Sequence, residues 1–126
     1  MTIRRKTQTI FTSSARIATT TSGIINMPED AISSSFVINV TAITSTPSVV
    51  FSIQGEDTLS GAFYLLIDSA AITATGATNI HIGPSVATVA NLGAGKIIPD
   101  RFRVLATHGD ADSITYTMSV IHTRDI

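Results

Sequence analysis

The sequence predicts an all-β chain, an antiparallel β-sandwich or jelly roll of about eight short strands. Three observations carry this. Apolar and polar residues alternate in several runs, most clearly between Ser35 and Gln54. Gly, Pro, Asn and Asp clusters separate those runs, and such residues favour turns. Thr and other β-branched residues are abundant, and they suit a pleated surface better than a helix.

The run at Ser35–Gln54 organises the rest. Phe36, Ile38, Val40 and Ala42 alternate with Val37, Asn39, Thr41 and Ile43, and the alternation resumes at Val49, Phe51 and Ile53. Side chains of a strand point to opposite faces in turn, so each run builds one apolar row. Pro47 lacks a backbone N–H and has a fixed φ, so the chain turns there. The reading is two antiparallel strands at the centre of the core, with Phe51 as an anchor.

Residues 1–8 read as a flexible arm. Arg4, Arg5 and Lys6 are adjacent, and no apolar period surrounds them. The remainder, 9–126, reads as a single domain, a size able to bury roughly two-thirds of its unfolded surface. Thr9 to Met27 fits two short strands divided near Ser22-Gly23, and Met27-Pro28-Glu29-Asp30 is a turn. Gly55 to Gly61 is a polar loop. Phe63, Leu65 and Ile67 then alternate as a strand. Phe63, Leu66, Ile67, Ala70, Ala71 and Ala74 also match a helical period, which allows one helical turn at Ser69–Ile72. Asn79 to Ile82 is a short strand. Ser85 to Asp100 is weakly patterned, and Gly93-Ala94-Gly95 within it is mobile or tightly turned. Phe102, Val104 and Ala106 form the next strand, His108 to Asp112 a hairpin loop, and Ile114, Tyr116, Met118 and Val120 the inward row of the last.

Composition bounds the function. Charged residues make up 13%, about half the usual ~25%, while the apolar fraction is an ordinary 44% and the net charge −1. Thr and Ser take the place of charge, and a weakly charged surface is at ease when neighbours cover it. The chain has no Cys, which excludes disulfides and Cys-based zinc sites. No apolar run approaches the ~18 residues of a membrane helix. Thr7-Gln8-Thr9 follows the basic start where a signal peptide would place an apolar stretch. Three basic residues without interleaved aromatics do not read as a nucleic-acid site.

No constellation of catalytic, cofactor-binding or metal-binding residues stands out. Gly95-Lys96 would need Gly at 90 and Ser or Thr at 97 to be a phosphate loop, and the chain has Ala90 and Ile97. Asp110 and Asp112 offer oxygens to a hard cation, but the sixth and twelfth positions of a calcium loop counted from Asp110 are Thr115 and Ile121. They read as turn residues. His81, His108 and His122 lack metal-ligand spacing, although strands can bring distant residues together. Asn39-Val40-Thr41 fits a glycosylation triplet but falls inside a strand. No Gly-x-Ser-x-Gly elbow occurs.

Several stretches together resemble a family of small tailed-phage virion proteins. They are Val40-Thr41-Ala42-Ile43, Pro47-Ser48-Val49, Ser52-Ile53-Gln54, Ser69 to Thr73, Ile82-Gly83-Pro84, Val89-Ala90-Asn91, Ile98-Pro99, Arg101 to Val104 and His108 to Thr117. Such β-sandwich proteins resemble capsid decoration, or cement, proteins. The resemblance implies a non-enzymatic protein on the outside of a phage head, made in the host cytoplasm. It would clamp neighbouring major capsid subunits as a homo-oligomer, often a trimer, without cofactor, membrane or nucleic acid. It transfers no contact residue. A tail or head–tail component is the alternative within the virion. A carbohydrate-binding jelly roll is the alternative outside it, although Tyr64 and Tyr116 are the only Tyr and Trp is absent, leaving few platforms for sugar rings.

Overall fold

The structure, a computed structural model, describes residues 2–125. Ten strands form two sheets that enclose one core, and no helix occurs among the described residues. In chain order the strands are β1 (Ile3–Arg16), β2 (Thr20–Thr21), β3 (Ile25–Asn26), β4 (Ala31–Ile43), β5 (Val49–Glu56), β6 (Phe63–Asp68), β7 (Gly76–Ile82), β8 (Gly93–Ala94), β9 (Arg101–His108) and β10 (Ile114–Asp125). One sheet has the order β1-β10-β4-β7-β8; the other has β2-β9-β5-β6, with β3 also on β9. Every pairing is antiparallel except β7 with β8. The sandwich expected from the alternating rows is therefore present.

The rows face each other across the core. Phe36, Ile38 and Val40 of β4 meet Val49, Phe51 and Ile53 of β5 and Phe102, Val104 and Ala106 of β9, all buried. Phe51, Tyr116 and Phe11 pack edge to face, with ring centroids 5.0 Å apart for Phe51–Tyr116 and 5.7 Å for Phe11–Tyr116. Phe36 and Phe102 repeat the geometry at 5.8 Å. Such pairs add about 0.5–1.5 kcal/mol beyond their burial.

Three expectations are corrected. First, β4 and β5 are not paired with each other. The chain crosses between sheets at 44–48, with Ser45 at φ 59°, and β5 pairs with β9 and β6 instead. An apolar row shows which face is buried, not which strand lies beside it. Second, of the arm expected at residues 1–8, Met1 lies outside the described residues and residues 3–8 are not an arm. They are the first half of β1, in register with β10 from Ile3↔Asp125 to Gln8↔Val120. No apolar period marks them because 3–7 are exposed on both faces. Third, Ser69–Ile72 makes no helical turn. Ser69 N–H donates to Phe51 O, and Ile72 and Val49 exchange two hydrogen bonds. The helical period at Leu66 and Ile67 is the mark of a bulge. Ile53 faces Ile67 and Gln54 faces Leu65, so Leu66 is the extra residue and two successive side chains are buried. Ile10 and Phe11 are buried together for the same reason at a bulge in β1.

Candidate functional site

The chemistry-bearing residues do not converge. Ser34↔His122 and Ser35↔His81 are neighbouring pairs, on β4 with β10 and β4 with β7. Alternation nonetheless sends His122 inward, fully buried, and His81 outward, exposed. His108 lies at the opposite end, its ring 6.2 Å from that of Tyr116. Among the described residues no group of three or more His, Cys, Asp or Glu could hold a metal ion.

The two hairpin aspartates are occupied by the backbone. Asp110 Oδ1 accepts from Asp112 N–H at 3.0 Å, and Asp112 Oδ2 accepts from Thr46 N–H at 3.2 Å. Gly95-Lys96 cradles nothing. A Cβ on Gly95 would come 2.8 Å from Val86 O, and one on Gly93 would come 2.6 Å from Ala87 O. This loop is folded tightly on itself, the second of the two behaviours its glycines allowed. Lys96 Nζ donates to Leu65 O at 3.3 Å. Asn39 is exposed on the outward side of β4.

One polar network is built into the core. Asn26 O accepts from Gln8 Nε2–H at 3.1 Å, which turns Gln8 Oε1 toward His122 Nε2 at 2.7 Å. His122 Nε2 therefore carries the ring proton, and Nδ1 accepts from the Ser34 hydroxyl at 2.8 Å. Burial, followed by the nearby Lys6 charge, pushes the His122 pKa down to about 4. The ring is neutral and both nitrogens are satisfied. This is a structural histidine that locks β1, β4 and β10 together.

Two adjoining depressions of about 410 and about 360 Å³ lie at the same end of the sandwich. They share Ile98, Pro99 and Asp100, the segment that crosses this end to reach β9. Arg101, at the rim, pairs with the buried Glu56 at 2.9 Å. Their other carboxylates, Glu29, Asp30, Asp57 and Asp100, form no ligand set among the described residues.

Exposed large apolar residues are spread over the molecule, with Ile3, Ile17, Ile24 and Ile32 among them. Leu59 is 95% and Ile97 80% exposed, with Tyr64 and Leu65 close to half. Nothing in the sequence marks Leu59 and Ile97, since single exposed aliphatic residues are ordinary on a protein surface. Tyr64 lies across Gly55, where a Cβ would come 2.5 Å from its ring. Tyr116 is fully buried, and its hydroxyl pKa is raised by that burial.

No family model matches the sequence. No curated protein matches it either. Among solved structures, the fold is similar to that of a chain in the structure of infectious bursal disease virus, Gx strain, with a TM-score of 0.52 and 13% sequence identity. The match covers 97% of this chain and 32% of that one, so this chain corresponds to about a third of its length. What the two share is a β-sandwich fold.

Proposed function

We propose that this chain is a structural protein of a virion, a decoration protein that binds the outside of a phage head and clamps neighbouring major capsid subunits as a homo-oligomer. The observation that carries the reading is the likeness of nearly the whole chain to part of a chain from a virus structure. It agrees with the family resemblance of the sequence, although fold alone does not determine function. The molecule has the features such a role needs. Its core is rigid and edge-stacked, its outer faces are rich in Thr and Ser, and its strongest features are surfaces rather than a reactive cleft. The carbohydrate reading loses support, since burial removes Tyr116 as a platform and Tyr64 leans on Gly55.

The test is co-sedimentation with phage heads that lack the protein. Saturable binding, together with greater resistance of the heads to heat or chelation, is the expected result. Heads that neither bind the protein nor gain stability would refute the reading.

A further inference from the structure

One stretch of sheet edge has backbone groups left over. β7 pairs with β4 on one side, and on the other β8 reaches only His81 and Ile82. His81 N–H donates to Leu92 O and Gly83 N–H to Ala94 O, so these two residues point away from β4. The β4 ladder runs from Ile82 to Gly76 without a register shift. Alternate residues of an antiparallel strand turn both N–H and C=O to the same side, so Ala77 and Asn79 also point away from β4. No backbone partner meets them there among the described residues. Side chains do not fold over these groups either. A Cβ on Gly76 would meet nothing within 4 Å, and Ala77 carries only a methyl. The Asn79 amide is held toward β4 by the Ser35 hydroxyl, 2.9 Å from its Oδ1. All three residues are exposed.

The other edges are guarded. β1 carries Arg4, Arg5, Lys6 and Arg16 and is bent by two register shifts. At β6 the Lys96 and Asn91 side chains occupy the Leu65 and Asp68 carbonyls. β2, β3 and β8 are two residues long. Charge, bulges, covering groups and shortness are how native edges avoid pairing with another chain. Residues 76–80 of β7 hold no charge, no Pro and no bulge.

We propose that β7 of one copy pairs with β7 of a second copy, antiparallel about a two-fold axis at Thr78. Hydrogen-bond geometry selects this occupant. About that axis Ala77 of each copy faces Asn79 of the other, and the two exchange both backbone bonds. Each group left over on one copy thus meets its complement on the other. Thr78 faces its own counterpart across the axis, a Thr–Thr pair on one sheet face. No like charges meet, since 76–80 has none. The pairing also has a natural end. In this register residues 74 and 75 would face Ile82 and His81, which β8 already covers, and the chain bends away at those two positions. Such a contact is isologous and closes at two copies, and it joins two β1-β10-β4-β7 sheets into one. The inference deepens the homo-oligomer part of the proposed function and rests on it, but its test uses no capsid.

The chain has no Cys, which makes a cross-link specific. Directly opposed residues that share no hydrogen bond have Cα atoms about 4.5 Å apart, a separation a disulfide spans. In an oxidised glutathione buffer Thr78→Cys should form a covalent dimer at least about tenfold faster than Thr7→Cys on the guarded β1. In sedimentation velocity the wild type should show a monomer–dimer equilibrium. Ala77→Pro removes an outward N–H that β4 does not use, and Pro is tolerated at a sheet edge. Asn79→Lys leaves the backbone whole and adds a charge to the edge. Each should associate at least about tenfold more weakly, and Asn79→Lys should keep the wild-type melting temperature. A wild type that stays monomeric at every concentration would overturn the proposal. So would an oligomer that both substitutions leave intact, or a Thr78→Cys cross-link no faster than that of Thr7→Cys. Dimers that fail to bind phage heads would sink the virion reading and leave this interface standing.

Discussion

His122 in β10 donates its Nε2–H to Gln8 Oε1 in β1 over 2.7 Å. The bond joins a fully buried ring to a strand whose first half has no apolar pattern, and it makes that half part of the fold. Removing residues 1–8 should therefore destabilise the domain. The orphaned imidazole donor alone costs about 1–3 kcal/mol, and the lost pairing with β10 adds to it. Gln8→Ala isolates the first contribution. Urea midpoints of the three chains decide; an unchanged midpoint on truncation would show that β1 begins after Gln8.

The same ring sets an acid limit. Its folded pKa, about 4, lies below the ordinary 6.5. Between those values the unfolded chain binds a proton that the native state does not, so unfolding gains as pH falls. His122 thus contributes stability that is fully present above about pH 6.5 and is lost progressively toward pH 4. His108, whose pKa burial also lowers, adds slope of the same sign. Histidine NMR titration should find the His122 ring neutral at pH 5, and His122→Gln should flatten the melting profile in this window. A ring that titrates at its ordinary value would contradict the network.

Phe51 is fully buried between Tyr116 and Phe11. Phe51→Ala should cost about 3–5 kcal/mol, the range for an aromatic side chain leaving a cavity. A loss under about 1 kcal/mol would place it outside the close-packed core.

Calcium should not change the melting temperature, because Asp110 and Asp112 already serve backbone N–H groups. Asp112→Ala should instead cost about 0.5–1.5 kcal/mol, one hydrogen bond closing the 44–48 crossing against the hairpin. A clear rise in melting temperature at millimolar calcium would reveal a native-state site.

Much of the fold was legible because burial on one face writes itself into a strand. Phe36-Ile38-Val40 and Phe102-Val104-Ala106 are such rows, and both reached the core. Where burial is absent the signal is absent: Ile3 to Thr7 pair along their length yet bury nothing. Where a bulge intrudes, the period misleads, as at Leu66 and Ile67. Pairing partners were hidden as well, since β4 and β5 have the same alternation whether side by side or face to face. The candidate surfaces were the least legible part. The basic cluster at Arg4, Arg5 and Lys6 was visible, but that Leu59 and Ile97 stay uncovered is shown only by the tertiary fold. His122 reads as one scattered histidine until Gln8 and Ser34 meet it.

The virion reading is tested most directly by a reconstruction of intact phage particles at a resolution that traces strands. The account predicts density for this two-sheet domain on the outer surface of the head, seated as a homo-oligomer over junctions between major capsid subunits. Its absence from the particle, or its presence only in the tail, would contradict the account.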